Sequence, residues 1–113
     1  MKQQEISEFY DEYVQRQLKI GANERLISLY TRLVNGGLNA HSKILELGCG
    51  VGIFTKLLSK KVTKGKIEAV DLSEKSAAVA KRELKHKKNI HFGVADVVKY
   101  QPKNTDFDMI TLM

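Results

Sequence analysis

At 113 residues with 42% hydrophobic and 28% charged side chains, the chain reads as one globular domain and not as a disordered or fibrous one. No apolar run approaches the roughly 18 residues that span a bilayer. The opening MKQQEISEFYDEY lacks the apolar stretch of a secretory signal, and one cysteine cannot form an internal disulfide, so a cytoplasmic protein is expected. The excess charge of +6 falls wholly in residues 43–113, which carry fourteen basic and eight acidic side chains, while residues 1–42 balance at five of each.

In chain order, Ile6, Phe9, Tyr10, Tyr13 and Val14 recur at helical spacing and predict a helix over 4–19, with Gly21 placed to end it. Leu26, Leu29, Tyr30 and Leu33 predict a second helix over 23–35, closed by Gly36 and Gly37. The period then changes. Lys43–Leu47 is a short apolar run between turn formers and reads as a strand, followed by a helix on Ile53, Leu57, Leu58 and Val62. Lys66–Val70 reads as a second strand, and Ser73 is placed to cap a helix whose Ala77, Ala80 and Leu84 share one face. Asn89–Val94 and Phe107–Leu112 read as the third and fourth strands. Strands alternating with helices of this length imply parallel βαβ units with helices covering the sheet. Residues 1–42 are thus an N-terminal helical segment, and residues 43–113 form the α/β unit.

The turn after the first strand, Glu46-Leu47-Gly48-Cys49-Gly50-Val51-Gly52, places glycines where the backbone must turn sharply and admit a ligand closely. Amide groups opening the next helix can then hold a polar or anionic group. The spacing is not that of a dinucleotide fingerprint, because Ile53 stands at its third glycine position. Nor is it a P-loop, since no Gly-Lys-Ser/Thr follows. Asp71 ends the second strand and Asp96 follows the third, so both lie on the same sheet edge as the glycines. There Asp71 can accept from the two hydroxyls of a ribose, and Asp96 from the exocyclic amine of a base.

ILELGCGVGIFT (44–55), IEAVDLS (67–73), GVADV (93–97) and FDMITLM (107–113) resemble, in order and spacing, the first four motifs of class I S-adenosylmethionine (SAM)-dependent methyltransferases. The resemblance implies a Rossmann-like parallel sheet of about four strands flanked by helices, the front of a sheet that has about seven strands in the family. It implies that Leu47, Gly48, Cys49, Gly50 and Gly52 lie against the methionine part of SAM and that Asp71 binds the ribose. Leu72 would flank the adenine, with Asp96 on its amine and Ala95 and Val97 beside it. Glu46 would support the loop and the SAM amino group. Helices at the N-terminus fold over the cofactor in many such enzymes, which gives Tyr10 and Tyr13 a possible contact there, although plain packing is the simpler reading.

The sequence therefore predicts a SAM-dependent methyltransferase, with a small-molecule methyl acceptor preferred to nucleic acid and no membrane partner. The chain is expected to be a fragment of a longer protein, its fourth strand an open edge prone to self-association. The alternatives are a non-catalytic SAM-binding or interaction module, or part of an RNA methyltransferase. Two basic patches, Lys56, Lys60, Lys61, Lys64 and Lys66, then Lys81, Arg82, Lys85, Lys87 and Lys88, lack the interleaved aromatics of a single-strand binding surface and read as helix-end surface charge. Cys49 has no neighbouring base in the sequence and reads as a small buried side chain. His41, His86 and His91 have no metal-ligand spacing, so no metal and no catalytic base is assigned.

Overall fold

The computed structural model describes residues 3–102 and 106–113, with side chains from Tyr10 onward. Its elements follow in the order α1 (Gln3–Ile20), α2 (Glu24–Asn35), β1 (Lys43–Leu47), α3 (Ile53–Lys61), β2 (Lys66–Asp71), α4 (Glu74–Glu83), β3 (Ile90–Val94) and β4 (Met109–Leu112). The predicted elements are all present. The largest departure is at β4, which begins two residues later than its apolar pattern suggested. Asp108 there donates its amide to the Lys43 carbonyl at 2.8 Å but turns its carboxylate back to accept from the Lys43 amide, also at 2.8 Å, so a side chain takes the place of one backbone partner at the strand's start. Ile6 and Phe9 of the first apolar stripe lie outside the described side chains.

All four strands are parallel, in the order β3-β2-β1-β4. This is the predicted α/β, Rossmann-like arrangement, with β1 and β4 adjacent. The chain steps outward from β1 through β2 to β3, then returns across the sheet to β4. The point of reversal lies between β1 and β4, and ligands of open parallel sheets bind outside the strand C-termini at such a point.

Alternation along the strands divides the two faces of the sheet. Ile44, Ile67 and Ile90 turn to one face and join Leu38, Phe54, Leu58, Val62 and Leu84 in a single buried cluster. Leu26, Leu29, Tyr30, Leu33 and Val34 of α2 pack against this cluster, so α2, α3 and α4 cover the same face. At about 25 cal/mol per Å2 of apolar surface, each fully buried Ile or Leu here contributes roughly 2 kcal/mol. The other face carries Glu68, which accepts from the Tyr100 hydroxyl in the segment after β3. It also presents Ile110 and Leu112 of β4, which are 63% and 74% exposed.

The caps follow local chemistry. Asn23 accepts from the Leu26 amide at 3.0 Å and Ser73 from the Ser76 amide at 3.1 Å, each satisfying a helix-start donor. Gly21 ends α1 with φ +73°, a value a side chain resists. The α1 helix lies along α4, where the Tyr10 hydroxyl shares a 2.6 Å hydrogen bond with the Ser76 hydroxyl. Lys75 pairs with Asp11 at 2.9 Å and sits 4.4 Å from the centre of the Tyr10 ring.

Candidate functional site

The glycine turn leaves the C-terminal end of β1 with three left-handed backbones: Gly48 at φ +82°, Gly50 at +55° and Gly52 at +90°. Their surroundings differ. A Cβ on Gly48 would lie 3.0 Å from the Met113 carbonyl, and one on Gly52 would lie 3.0 Å from the Ala80 Cβ. Gly52 thus lets α3 and α4 approach closely. A Cβ on Gly50 would meet nothing within 4 Å, so this residue faces open space. The amides of Gly48 and Cys49 both donate to the Val70 carbonyl, at 2.7 and 3.0 Å, which fixes the turn against β2. Gly52 is the N-cap of α3 and brings no side-chain cap to it.

Asp71 closes the arrangement. One of its carboxylate oxygens accepts from the Gly50 amide at 2.8 Å, and the other accepts from the Ser73 amide at 2.9 Å. These bonds use about two of the roughly four lone-pair positions of a carboxylate. Half-buried Asp71 therefore presents remaining acceptor capacity beside the open Gly50 backbone. Leu72 follows on the same edge with 69% of its surface exposed.

Glu46 occupies a different layer. It faces α3 from within β1, has no exposed surface, and accepts from the Thr55 hydroxyl at 2.5 Å through one oxygen. Its other oxygen has no partner among the described residues, nor does the hydroxyl of Thr111, the residue opposite Glu46 on β4. Burial pushes the Glu46 carboxyl up to about 7; the Thr55 bond works against that shift and the Asp71 charge adds to it. Burial, with the charges of Glu46 and Asp71, likewise pushes the Cys49 thiol to about 12, so at neutral pH it stays a thiol and is no nucleophile.

On the third strand's side, the Ala95 amide donates to the Asp71 carbonyl at 3.0 Å and holds the segment 95–97 next to β2. Exposed Asp96 accepts from the Val98 amide at 3.0 Å, forming a local turn, and Val97 is half-buried. Leu47 is half-buried at the end of β1 and accepts from the Met113 amide at 3.0 Å. The fold thus brings the glycine turn, Asp71, Leu72 and the 95–97 segment to one sheet edge, and it sets Glu46 beneath them. Tyr10 is engaged with Ser76 on α4, while Tyr13 is half exposed and accepts from the Gln17 amide group at 3.0 Å. His41, His86 and His91 are all exposed. No group of three metal-ligating side chains occurs among the described residues, and no helix among them is long and apolar enough to cross a membrane.

Two partners in this site escape sequence reasoning. Thr55 lies nine positions from Glu46, a separation with no helical or strand period, and only the fold of α3 onto β1 brings them together. The Gly50–Asp71 bond spans 21 residues and depends on register.

A family model described as a methyltransferase domain matches residues 44–113. Over 101 residues the chain is 37% identical to a malonyl-[acyl-carrier protein] O-methyltransferase of Bacillus anthracis, covering 89% of this chain and 35% of that protein. It is 33% identical to malonyl-[acyl-carrier protein] O-methyltransferase 1 of Ilyobacter polytropus, again over 101 residues, 89% of this chain and 35% of the relative. The chain therefore spans about a third of the length of these relatives. Among solved structures, a protein-L-isoaspartate O-methyltransferase superposes with a TM-score of 0.67 at 29% identity, over 77% of this chain and 28% of that one. The matched segment starts at β1 and contains the glycine turn, Asp71 and the 95–97 segment on their common edge, and on these grounds the chain belongs to the methyltransferase domain family.

Proposed function

We propose that the chain holds S-adenosylmethionine across the C-terminal ends of β1, β2 and β3, and that its role is methyl transfer to a small-molecule acceptor. The observation that carries this reading is the bond from the Gly50 amide to Asp71, which joins the open turn and the strand-end acid into one surface. The residues fit the cofactor. At Gly50 the backbone is bare, with room for a ligand where a side chain would otherwise project. Asp71 keeps acceptor positions for ribose hydroxyls, and exposed Leu72 offers an apolar face to the adenine. Exposed Asp96 accepts from the adenine amine in this reading, with Ala95 and Val97 beside the ring. Leu47, Gly48, Cys49 and Gly52 shape the turn around the methionine part. Glu46 acts from below by holding Thr55 and hence the first turn of α3.

When bound, this cofactor supplies a methyl group already activated on a sulfonium, so the protein contributes chiefly alignment. A base is needed only where the acceptor must lose a proton, and the buried, protonated thiol of Cys49 does not supply one. The substrate for which these relatives are named, malonyl-[acyl-carrier protein], supports a small acyl group over a nucleic acid as the acceptor.

Titration calorimetry tests the reading. S-adenosylhomocysteine is expected to bind saturably with one site per chain, and NAD is expected not to bind. Binding of NAD without S-adenosylhomocysteine overturns the assignment. Replacing Asp71 by Ala should weaken S-adenosylhomocysteine by roughly 1–3 kcal/mol, the cost of removing a charged hydrogen-bond partner; an unchanged affinity contradicts the ribose role.

A further inference from the structure

A groove of about 350 Å3 lies between α2 and the end of β4, lined by Arg25, Ser28, Leu29, Arg32, Leu112 and Met113. It stands at the point of reversal between β1 and β4, next to the glycine turn, because the Met113 amide donates to Leu47 and the Met113 carbonyl abuts Gly48. Resting on the proposed cofactor reading, we infer that this groove is the acceptor site and that Arg25 and Arg32 select an acceptor carrying an oxyanion, a carboxylate or a phosphate.

Four observations support this assignment. Arg25, Ser28, Leu29 and Arg32 follow the i, i+3, i+4, i+7 rule of one helical face, which sets the two arginine backbones about 10.5 Å apart along the axis. Two long side chains at that spacing can converge on one group from both ends of the groove. Neither arginine forms an ion pair among the described residues, so both guanidinium groups keep their full donor capacity. Arg25 also breaks a local rule: it stands in the first turn of α2, two residues after the Asn23 cap, where the helix dipole disfavours a cation. A bound anion would turn that penalty into an attraction, since the helix start and the guanidinium then act in the same direction. Finally, the groove pairs its charge with apolar surface, Leu29 on the same helical face as the arginines and Met113 at 41% exposure, which suits a small organic acid better than a bare ion. Planar guanidinium groups match carboxylate and phosphate oxygens in geometry as well as charge.

The test uses the chain saturated with S-adenosylhomocysteine, followed by amide nuclear magnetic resonance during titration with malonate, glycerol 3-phosphate or neutral malonamide. Malonate or glycerol 3-phosphate should shift the Leu29, Leu112 and Met113 signals saturably, and which of them binds tells carboxylate from phosphate. Malonamide should not. Arg25→Gln and Arg32→Gln should each weaken the anion by at least about fivefold, the scale of one charge-assisted contact, with S-adenosylhomocysteine affinity unchanged. Lys60→Gln, on α3 and outside this groove, should leave the anion affinity as it was. Absence of saturable shifts with both anions, equal binding of malonamide, or indifference to both arginine variants overturns the acceptor assignment while leaving the cofactor reading intact. Failure of S-adenosylhomocysteine to bind at all overturns that reading and this one with it.

Discussion

A carboxyl group with no exposed atom, Glu46, sits one layer below a turn open to ligand approach. With its ionisation midpoint raised to about 7, the folded chain binds this proton more tightly than the unfolded chain does. Its contribution to stability is therefore fully present below the ordinary carboxylate range, falls as the pH rises, and is gone above about pH 7. The difference amounts to about 3 kcal/mol between the two limits. Thermal denaturation from pH 5 to pH 8 should show this loss, and Glu46→Gln should flatten it while keeping the acceptor oxygen for Thr55. The same steep profile in that variant would assign the effect to other groups.

Two glycines of the turn make a matched pair of experiments. Gly52→Ala combines a left-handed backbone with a Cβ 3.0 Å from Ala80, so it should lower stability by roughly 2 kcal/mol or more. Gly50→Ala meets no neighbour and carries only the backbone strain of about 1 kcal/mol. Its expected effect is on S-adenosylhomocysteine affinity, which should fall tenfold or more as a methyl group enters the ligand's space. If both variants lost the same stability and kept full affinity, the distinction drawn between the two positions would fail.

Among the elements, β1, β2, α3 and α4 were legible from the sequence because local signals agreed there. Apolar runs fell between turn formers, Ser73 stood at a cap, and one apolar face repeated through Ala77, Ala80 and Leu84. The caps are testable directly: Ser73→Ala should cost about 1 kcal/mol in chemical denaturation, as loss of a helix-start acceptor does. What sequence patterns do not carry is register and crossing. The Gly50–Asp71 clamp, the Glu46–Thr55 bond and the position of Arg25 and Arg32 beside Met113 all arise when separate elements pack, and none leaves a periodic trace. Gly65 is a similar case. A Cβ there would lie 1.9 Å from the Ser42 carbonyl, so close backbone crossing at the start of β1 and β2 is what requires glycine.

At the scale of the molecule, one face of the sheet is covered by three helices, and the other shows apolar side chains along β4. Among the described strands β4 pairs only with β1. An edge strand with Ile110 and Leu112 exposed invites pairing with a second copy. Sedimentation should accordingly show concentration-dependent association that Ile110→Lys suppresses; a monomer at all concentrations would show that this edge is inert.

The most direct test of the central claim is to map S-adenosylhomocysteine on the chain by amide chemical shifts. The glycine turn and Asp71 form one preassembled surface, so saturable changes should centre on Gly48, Gly50, Asp71, Leu72 and Asp96, with the start of β3 and the end of α4 unmoved. Changes confined to other parts of the chain, or none at these five residues under saturating ligand, would contradict it.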